Sequence, residues 1–247
     1  MDIEGISLDC NEFVKFAIKP AIDILKNSIR DNQELISELH SYHTSIYSWQ
    51  IELQDCSLNL SERHFLFEQS YNFQCSFYLG LSGYYRYSWV ALRAYLEVPP
   101  FFIYYSKNPD ELEQWENRKK GFWFSKTIEK ICKYQDYKNF IEFYDLKKDI
   151  EKQHHDLNSF VHPPRYNESQ SQYYLEDIGE DFLKYNNQFI KDWNKRATLC
   201  VGLSNLILII GLYDYFDKFK EKEKEIILNT LTPKQRTALD KFSNKMH

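Results

Sequence analysis

Apolar residues recur every three or four positions along most of this chain, and few segments alternate apolar and polar residues. Three- and four-residue spacing is that of an amphipathic α-helix, whereas alternation is that of a half-buried strand. Glycine and proline, which interrupt such segments, each occur only seven times in 247 residues. The pattern therefore predicts an all-α protein, a multi-helix bundle in which no linker is long enough to require a domain boundary.

The early part of the chain predicts three helices. The first extends from about Leu8 to Ser28, with Pro20 as a candidate kink. The second runs from about Asp31 into the fifties, and Ser61 is a candidate N-cap for the third.

The most aromatic stretch, SFYLGLSGYYRYSWVALRAYLEVPPFFIYY (76–105), is apolar almost all round, which is typical of a central buried helix. Pro99 and Pro100 are expected to break or bend it, because proline lacks an N–H and clashes with the preceding turn. The longest apolar run, Leu199 to Tyr213, is shorter than the ~20 residues that span a bilayer. We therefore expect a buried core helix there and no membrane span.

The remaining segments predict several further helices, among them a short charged helix in SKNPDELEQWENRKKGFWF and one from about Tyr174 into the buried run. Another is capped by Ser125, another extends from about Asp136 to Val161, and a last amphipathic helix begins at Thr232–Pro233. The proline pair after His162 is expected to end the helix that begins near Asp136.

The composition of the chain indicates which class of protein it belongs to. With 43% hydrophobic and 27% charged residues the chain is globular, and its net charge of −5 argues against nucleic-acid binding through overall charge, though not against a local basic groove. The five cysteines show no CxxC spacing and the acidic N-terminus lacks a signal-peptide pattern, so a cytoplasmic protein is predicted. The 17% aromatic content suits both helical cores and interfaces.

Two polar clusters are candidate sites. In DLNSFVHPPR, residues Asn158, Ser159 and His162 share one helix face with His155. His162 can act as a general base, and Arg165 can bind phosphate. The alternative is a structural histidine at a helix end.

In YYRYSWVALRAYLE, Arg86 and Arg93 are seven residues apart and share a face, and Glu97 follows Arg93 by four. Arg93 and Glu97 can pair along the helix, which aims the guanidinium as a phosphate clamp requires. The alternative is a structural salt bridge that fixes helix register.

Metal chemistry is not predicted. Glu151 and His154 form a Glu-x-x-His unit, but a carboxylate-bridged di-iron bundle needs two such units and the sequence has no second one. No phosphate-binding glycine loop is present either, so no cofactor is expected.

The LR-x-x-x-E helix (Leu92, Arg93, Glu97) and the later L-x-S-x-x-V-H-P pattern that ends in His162 and Pro163 resemble the HEPN superfamily. The resemblance covers about residues 76–216, is closest to bacterial branches linked to phage defence and toxin–antitoxin pairs, and rests on two short motifs. It implies a single HEPN-like bundle of 76–216 with extra N-terminal helices in 1–75 and amphipathic helices in 217–247.

Active HEPN proteins carry an R-x(4–6)-H motif that cleaves RNA without metal, usually across a dimer. The resemblance implies catalytic roles for His162, Arg93 and Glu97, with Arg86, Asn158, Ser159 and Arg165 binding the substrate. The positions five to seven residues before His162 hold no arginine, so Arg93 or Arg86 would supply the cation.

Two functions follow as expectations. One is a metal-independent ribonuclease or toxin that acts on an RNA substrate, either as a homodimer or with a partner protein of a defence system. The other is a catalytically inactive helical module that binds a partner protein or nucleotide, motivated by the aromatic surplus.

Overall fold

The computed structural model describes residues 18–54, 60–119, 121, 123–161 and 185–246. Within these ranges the chain forms 12 helices and no strand, which confirms the all-α bundle. In chain order they are α1 (Lys19–Asp31), α2 (Gln33–Glu52), α3 (Leu60–Leu81), α4 (Tyr85–Ser106), α5 (Pro109–Glu116), α6 (Phe124–Ile131), α7 (Gln135–Ile141), α8 (Leu146–Val161), α9 (Asn187–Gly211), α10 (Tyr213–Phe216), α11 (Glu221–Leu228) and α12 (Pro233–Met246).

Helix α4 lies at the centre of the bundle and packs against α3, α6, α8 and α9. Its inward side chains include Leu92, Tyr95 and Leu96, all fully buried. Helix α9 is buried without interruption from Cys200 to Gly211, as the apolar run predicts. No helix in the described ranges combines the length and the hydropathy needed to cross a membrane.

The aromatic stretch is not one helix but an antiparallel hairpin of α3 and α4. Gly83 adopts a φ of 86°, which glycine tolerates and which turns the chain back after Leu81. The hairpin is held by reciprocal hydrogen bonds, in which the hydroxyls of Ser76 and Ser88 each donate to the other residue's carbonyl at 2.8 and 2.7 Å.

Four other expectations about helix limits need correction. Ser61 is not the N-cap of α3, because α3 begins at Leu60. Helix α4 continues through Pro99 and Pro100, both buried, so burial on nearly all sides outweighs the lost N–H donors and no break occurs there. The helix expected from Asp136 to Val161 is divided between α7 and α8. Trp123 rather than Ser125 precedes the first turn of α6, without a side-chain cap.

A buried polar network joins α2 to the C-terminal half of the bundle. The indole Nε1 of Trp49 donates to Asn205 Oδ1 at 2.9 Å, and Asn205 Nδ2 donates to Thr230 Oγ1 at 2.7 Å. Each of these polar groups therefore has a partner inside the core, where an unpaired one is costly. The predicted limit of the N-terminal extension, near residue 75, falls inside α3.

Candidate functional site

The two helices that carry the sequence motifs lie side by side. Glu97 of α4 meets His154 of α8, and Trp89 of α4 stacks on Phe160 of α8 at 4.8 Å between ring centroids. Since the earlier residue of α4 contacts the later residue of α8, the helices run antiparallel. The first turn of α4 therefore lies beside the C-terminal end of α8.

Glu97 is the centre of a hydrogen-bonded cluster at this seam. Its Oε1 accepts a hydrogen bond from Arg93 Nε at 2.8 Å and one from His154 Nε2 at 2.7 Å. Arg93 and Glu97 thus form the predicted ion pair, with side chains 28% and 20% exposed. Within the described residues the terminal nitrogens of Arg93 make no further hydrogen bond, so they remain available to an anion.

The partners of His154 fix which ring nitrogen carries a proton. A carboxylate only accepts hydrogen bonds, so Nε2 carries the proton that bonds Glu97. Asn158 Nδ2 lies 3.2 Å from Nδ1, the other ring nitrogen, within hydrogen-bond distance. The ring of Phe124 stacks on the imidazole at 4.1 Å, and the His154 side chain is 16% exposed.

The electrostatics of the cluster favour an ionised Glu97. Burial by itself raises the pKa of this carboxyl, but the hydrogen bonds from His154 and Arg93 and the Arg93 charge outweigh burial. The net pKa of Glu97 lies below its ordinary value of 4.5. The carboxylate is therefore anionic at neutral pH and can orient both neighbours.

This pKa shift predicts a pH-dependent contribution to stability. A carboxyl whose folded-state pKa is lowered stabilises the fold above its unfolded pKa, and that contribution is lost as the pH falls through the folded pKa. We expect Glu97→Gln to lower the free energy of unfolding by about 1–2 kcal/mol at pH 7. The difference from wild type should shrink below pH 4.5.

Urea unfolding of both proteins between pH 7 and pH 3 measures this difference. Glu225→Gln is the matched control, because Glu225 is exposed on α11 and its loss should leave stability unchanged at every pH. If the free energies of unfolding of wild type and Glu97→Gln differed by the same amount at pH 3 as at pH 7, the result would contradict an ionised Glu97 at the centre of the cluster.

A cleft of about 390 Å³ opens beyond this cluster, between α8 and α9. Arg196 forms one wall, donating to Asp156 at 3.0 Å and lying 5.0 Å from the centroid of the Phe160 ring. Lys152 and Lys195 add two exposed cations. The cleft therefore combines aromatic walls with charged side chains of both signs, since Asp156 and Asp192 line it beside the three cations, next to the C-terminal half of α8.

Three of the other predicted site residues, Arg86, Asn158 and Ser159, lie within the described part of the chain. Arg86 is exposed on the first turn of α4, and Ser159 is exposed on α8, where its hydroxyl donates to the Asp156 carbonyl at 2.6 Å. Asn158 is half-buried and turned towards His154. His162 and Arg165 lie outside the described residues.

His154 is the residue of this cluster that the sequence patterns do not predict. The sequence pairs it with Glu151 in a Glu-x-x-His unit, whereas in the structure its partner is Glu97 on another helix. The available signal was the four-residue spacing of His154 and Asn158, which places both on one face of α8. Among the described residues no group of three or more histidine, cysteine, aspartate or glutamate side chains is arranged to hold a metal ion.

Comparisons with protein-family models, curated proteins and solved structures found no match to this chain.

Proposed function

We propose that this protein is a HEPN-like ribonuclease that cleaves RNA without a metal ion, as a toxin or effector of a bacterial defence or toxin–antitoxin system. The observation that carries the proposal is the contact between the two motif helices through Arg93, Glu97 and His154. Glu97 belongs to the first motif, and His154 lies three residues before the second motif on the same helix, 57 positions away in the sequence.

The proposed reaction is transesterification within the RNA. A base removes the proton of a ribose 2′-OH, the freed oxygen attacks the adjacent phosphorus, and the bond to the 5′ oxygen breaks as that oxygen receives a proton. His162, which follows the last residue of α8, is the proposed base or acid. Only RNA has the 2′-OH that this reaction needs.

Arg93 is the proposed electrostatic clamp. Its terminal nitrogens would donate to the phosphate oxygens, whose charge grows in the transition state. Glu97 fixes the guanidinium through Nε, and His154 in turn fixes Glu97. Asn158 supports His154, while Arg86, Ser159 and Arg165 are proposed to contact the substrate outside the cluster.

Cleavage of labelled single-stranded RNA in the presence of EDTA tests the proposal. We expect wild-type cleavage to persist in EDTA and His162→Ala to lower its rate by about 10²- to 10⁴-fold, which is the usual contribution of a general acid or base. His64→Ala is the matched control, because the His64 side chain is 62% exposed on α3 and should be dispensable. Equal rates for wild type and His162→Ala, with both proteins folded, would contradict the role of His162.

A second candidate function is a catalytically inactive interaction protein that acts as a homodimer. The face formed by α2 and α3 favours it, since Tyr47, Phe67, Tyr71 and Tyr78 are each more than half exposed there. Two grooves of about 250 and 310 Å³ lie on the same face. A face with both protruding rings and grooves can pack against a copy of itself around a two-fold axis.

The same samples separate the two functions. Light scattering after size-exclusion chromatography reports the mass of the wild type, and the cleavage assay reports its activity. A dimer without cleavage in EDTA would favour the interaction protein, whereas cleavage that depends on His162 would favour the ribonuclease in either oligomeric state.

A further inference from the structure

The connection between α5 and α6 carries the most exposed large apolar side chain of the described residues. Trp123 is 65% exposed, immediately before the first residue of α6. Buried tryptophans such as Trp49 and Trp89 serve the core, whereas this indole presents most of its surface to solvent. An exposed indole is a platform on which a planar group can stack.

This connection is also basic in a protein whose net charge is −5. Between Glu116 and Glu129 the sequence contains no acidic residue, and the described cations Arg118, Lys119 and Lys126 are exposed. Within the part of the chain that the structure describes, none of these three forms an ion pair. Their charge is therefore available to a phosphate group.

The backbone of Arg118 adopts a conformation that is strained for a residue other than glycine. Its φ of 55° lies in the left-handed region that glycine usually occupies after a helix, and its N–H donates back to Trp115 O at 2.8 Å. Glycine would relieve the strain but would lack the guanidinium.

The basic connection adjoins the cluster around Glu97. Phe124, the residue after Trp123, stacks on His154 at 4.1 Å and packs edge-on against Phe101 of α4 at 6.2 Å. Lys126 places its ammonium 5.4 Å from the centroid of the Trp123 ring. The Trp123 ring and the Lys126 ammonium therefore lie on the same chain segment as Phe124, which contacts the cluster through His154.

We propose that Arg118, Lys119, Trp123 and Lys126 form a binding surface for single-stranded RNA that leads the strand to the Arg93–Glu97–His154 cluster. Trp123 stacks on a base, and the three cations contact the flanking phosphates, as in other proteins that bind single strands without reading sequence. The inference rests on the proposed ribonuclease function, because it names the surface that holds the substrate of that same site.

Fluorescence anisotropy with a fluorescein-labelled 2′-O-methyl RNA of about 12 nucleotides tests this surface. The blocked 2′ oxygen prevents cleavage, so only binding is measured. We expect Trp123→Ala to raise the Kd by about 5- to 100-fold. We expect Lys126→Ala to weaken binding at low salt and to reduce the slope of log Kd against log salt concentration by about 0.7. Tyr215→Ala, 43% exposed on α10, and Lys241→Ala, exposed on α12, are the matched controls and should bind as wild type does.

Each outcome separates this inference from the proposed function. An unchanged Kd for Trp123→Ala, or a wild type that binds anionic vesicles and not RNA, overturns the binding surface. If such a protein still cleaves ordinary RNA, the proposed function stands without the surface. If the wild type binds through Trp123 but never cleaves ordinary RNA, the surface stands and the ribonuclease function fails.

Discussion

Arg93→Ala is expected to slow RNA cleavage by about 10²- to 10³-fold, the usual loss when one donor to a developing anionic charge is removed. The terminal nitrogens of Arg93 make no hydrogen bond within the described residues, while its Nε donates to Glu97, which orients the guanidinium. Stability should fall by no more than about 1 kcal/mol, because the Arg93 side chain is 28% exposed and its ion pair is only partly shielded from water. Single-turnover cleavage rates and urea unfolding measure the two effects separately.

Two further variants define the role of Arg93. Arg93→Lys keeps the charge but loses the Nε donor and the planar fork, so an intermediate rate is expected. Arg236→Ala, exposed on α12, is the matched control and should cleave as wild type does. An Arg93→Ala protein that cleaves within about threefold of the wild-type rate while His162→Ala is inactive would show that the Arg93–Glu97 pair only fixes helix register.

Trp49→Ala is expected to lower the free energy of unfolding by about 3–5 kcal/mol, as large-to-small changes of buried aromatic residues do. Trp49 is fully buried, and its ring lies 5.6 Å from Phe216 and 5.1 Å from Phe219. Its loss also leaves Asn205 Oδ1 without the indole donor. Urea unfolding followed by circular dichroism measures the change.

The same experiment tests whether the N-terminal helices form a unit of their own. Because Trp49 joins α2 to α9, we expect a single transition that shifts as a whole. Trp123→Ala is the control, since a 65% exposed side chain should change stability by less than about 0.5 kcal/mol. Two transitions, of which only one responds to Trp49→Ala, would show that the N-terminal helices unfold independently of the rest.

The sequence predicted an all-α protein because the three- to four-residue spacing of apolar residues does not depend on how the helices pack against one another. It also predicted the buried run of α9 and the start of α12 at Thr232–Pro233. Helix limits were less predictable, since burial decides whether a proline is tolerated. Pro99 and Pro100 lie inside α4. Gly83 instead forms the turn between α3 and α4, although the hydrophobic pattern does not distinguish it from the other glycines.

The candidate site was predictable only along each helix. Arg93 and Glu97 are four residues apart, so their pairing follows from helical geometry alone. The contact of Glu97 with His154 joins positions 57 apart and depends on how α4 and α8 pack, which no local pattern specifies. The stacking of Phe124 on His154 brings in a third helix, and no spacing in the sequence indicates it.

The chemistry of the cleaved RNA ends tests the central claim most directly. Transesterification by the 2′-OH must leave a 2′,3′-cyclic phosphate on the upstream fragment and a 5′-hydroxyl on the downstream fragment, in EDTA as in its absence. Mass spectrometry identifies both ends of the products in three reactions. Wild type and Arg93→Ala each receive ordinary RNA, and wild type also receives a substrate with 2′-deoxyribose at the cleavage position. We predict cyclic phosphate from wild type, about 10²- to 10³-fold less from Arg93→Ala, and none from the deoxy substrate. Cleavage of the deoxy substrate, or products that carry a 5′-phosphate, would contradict the account.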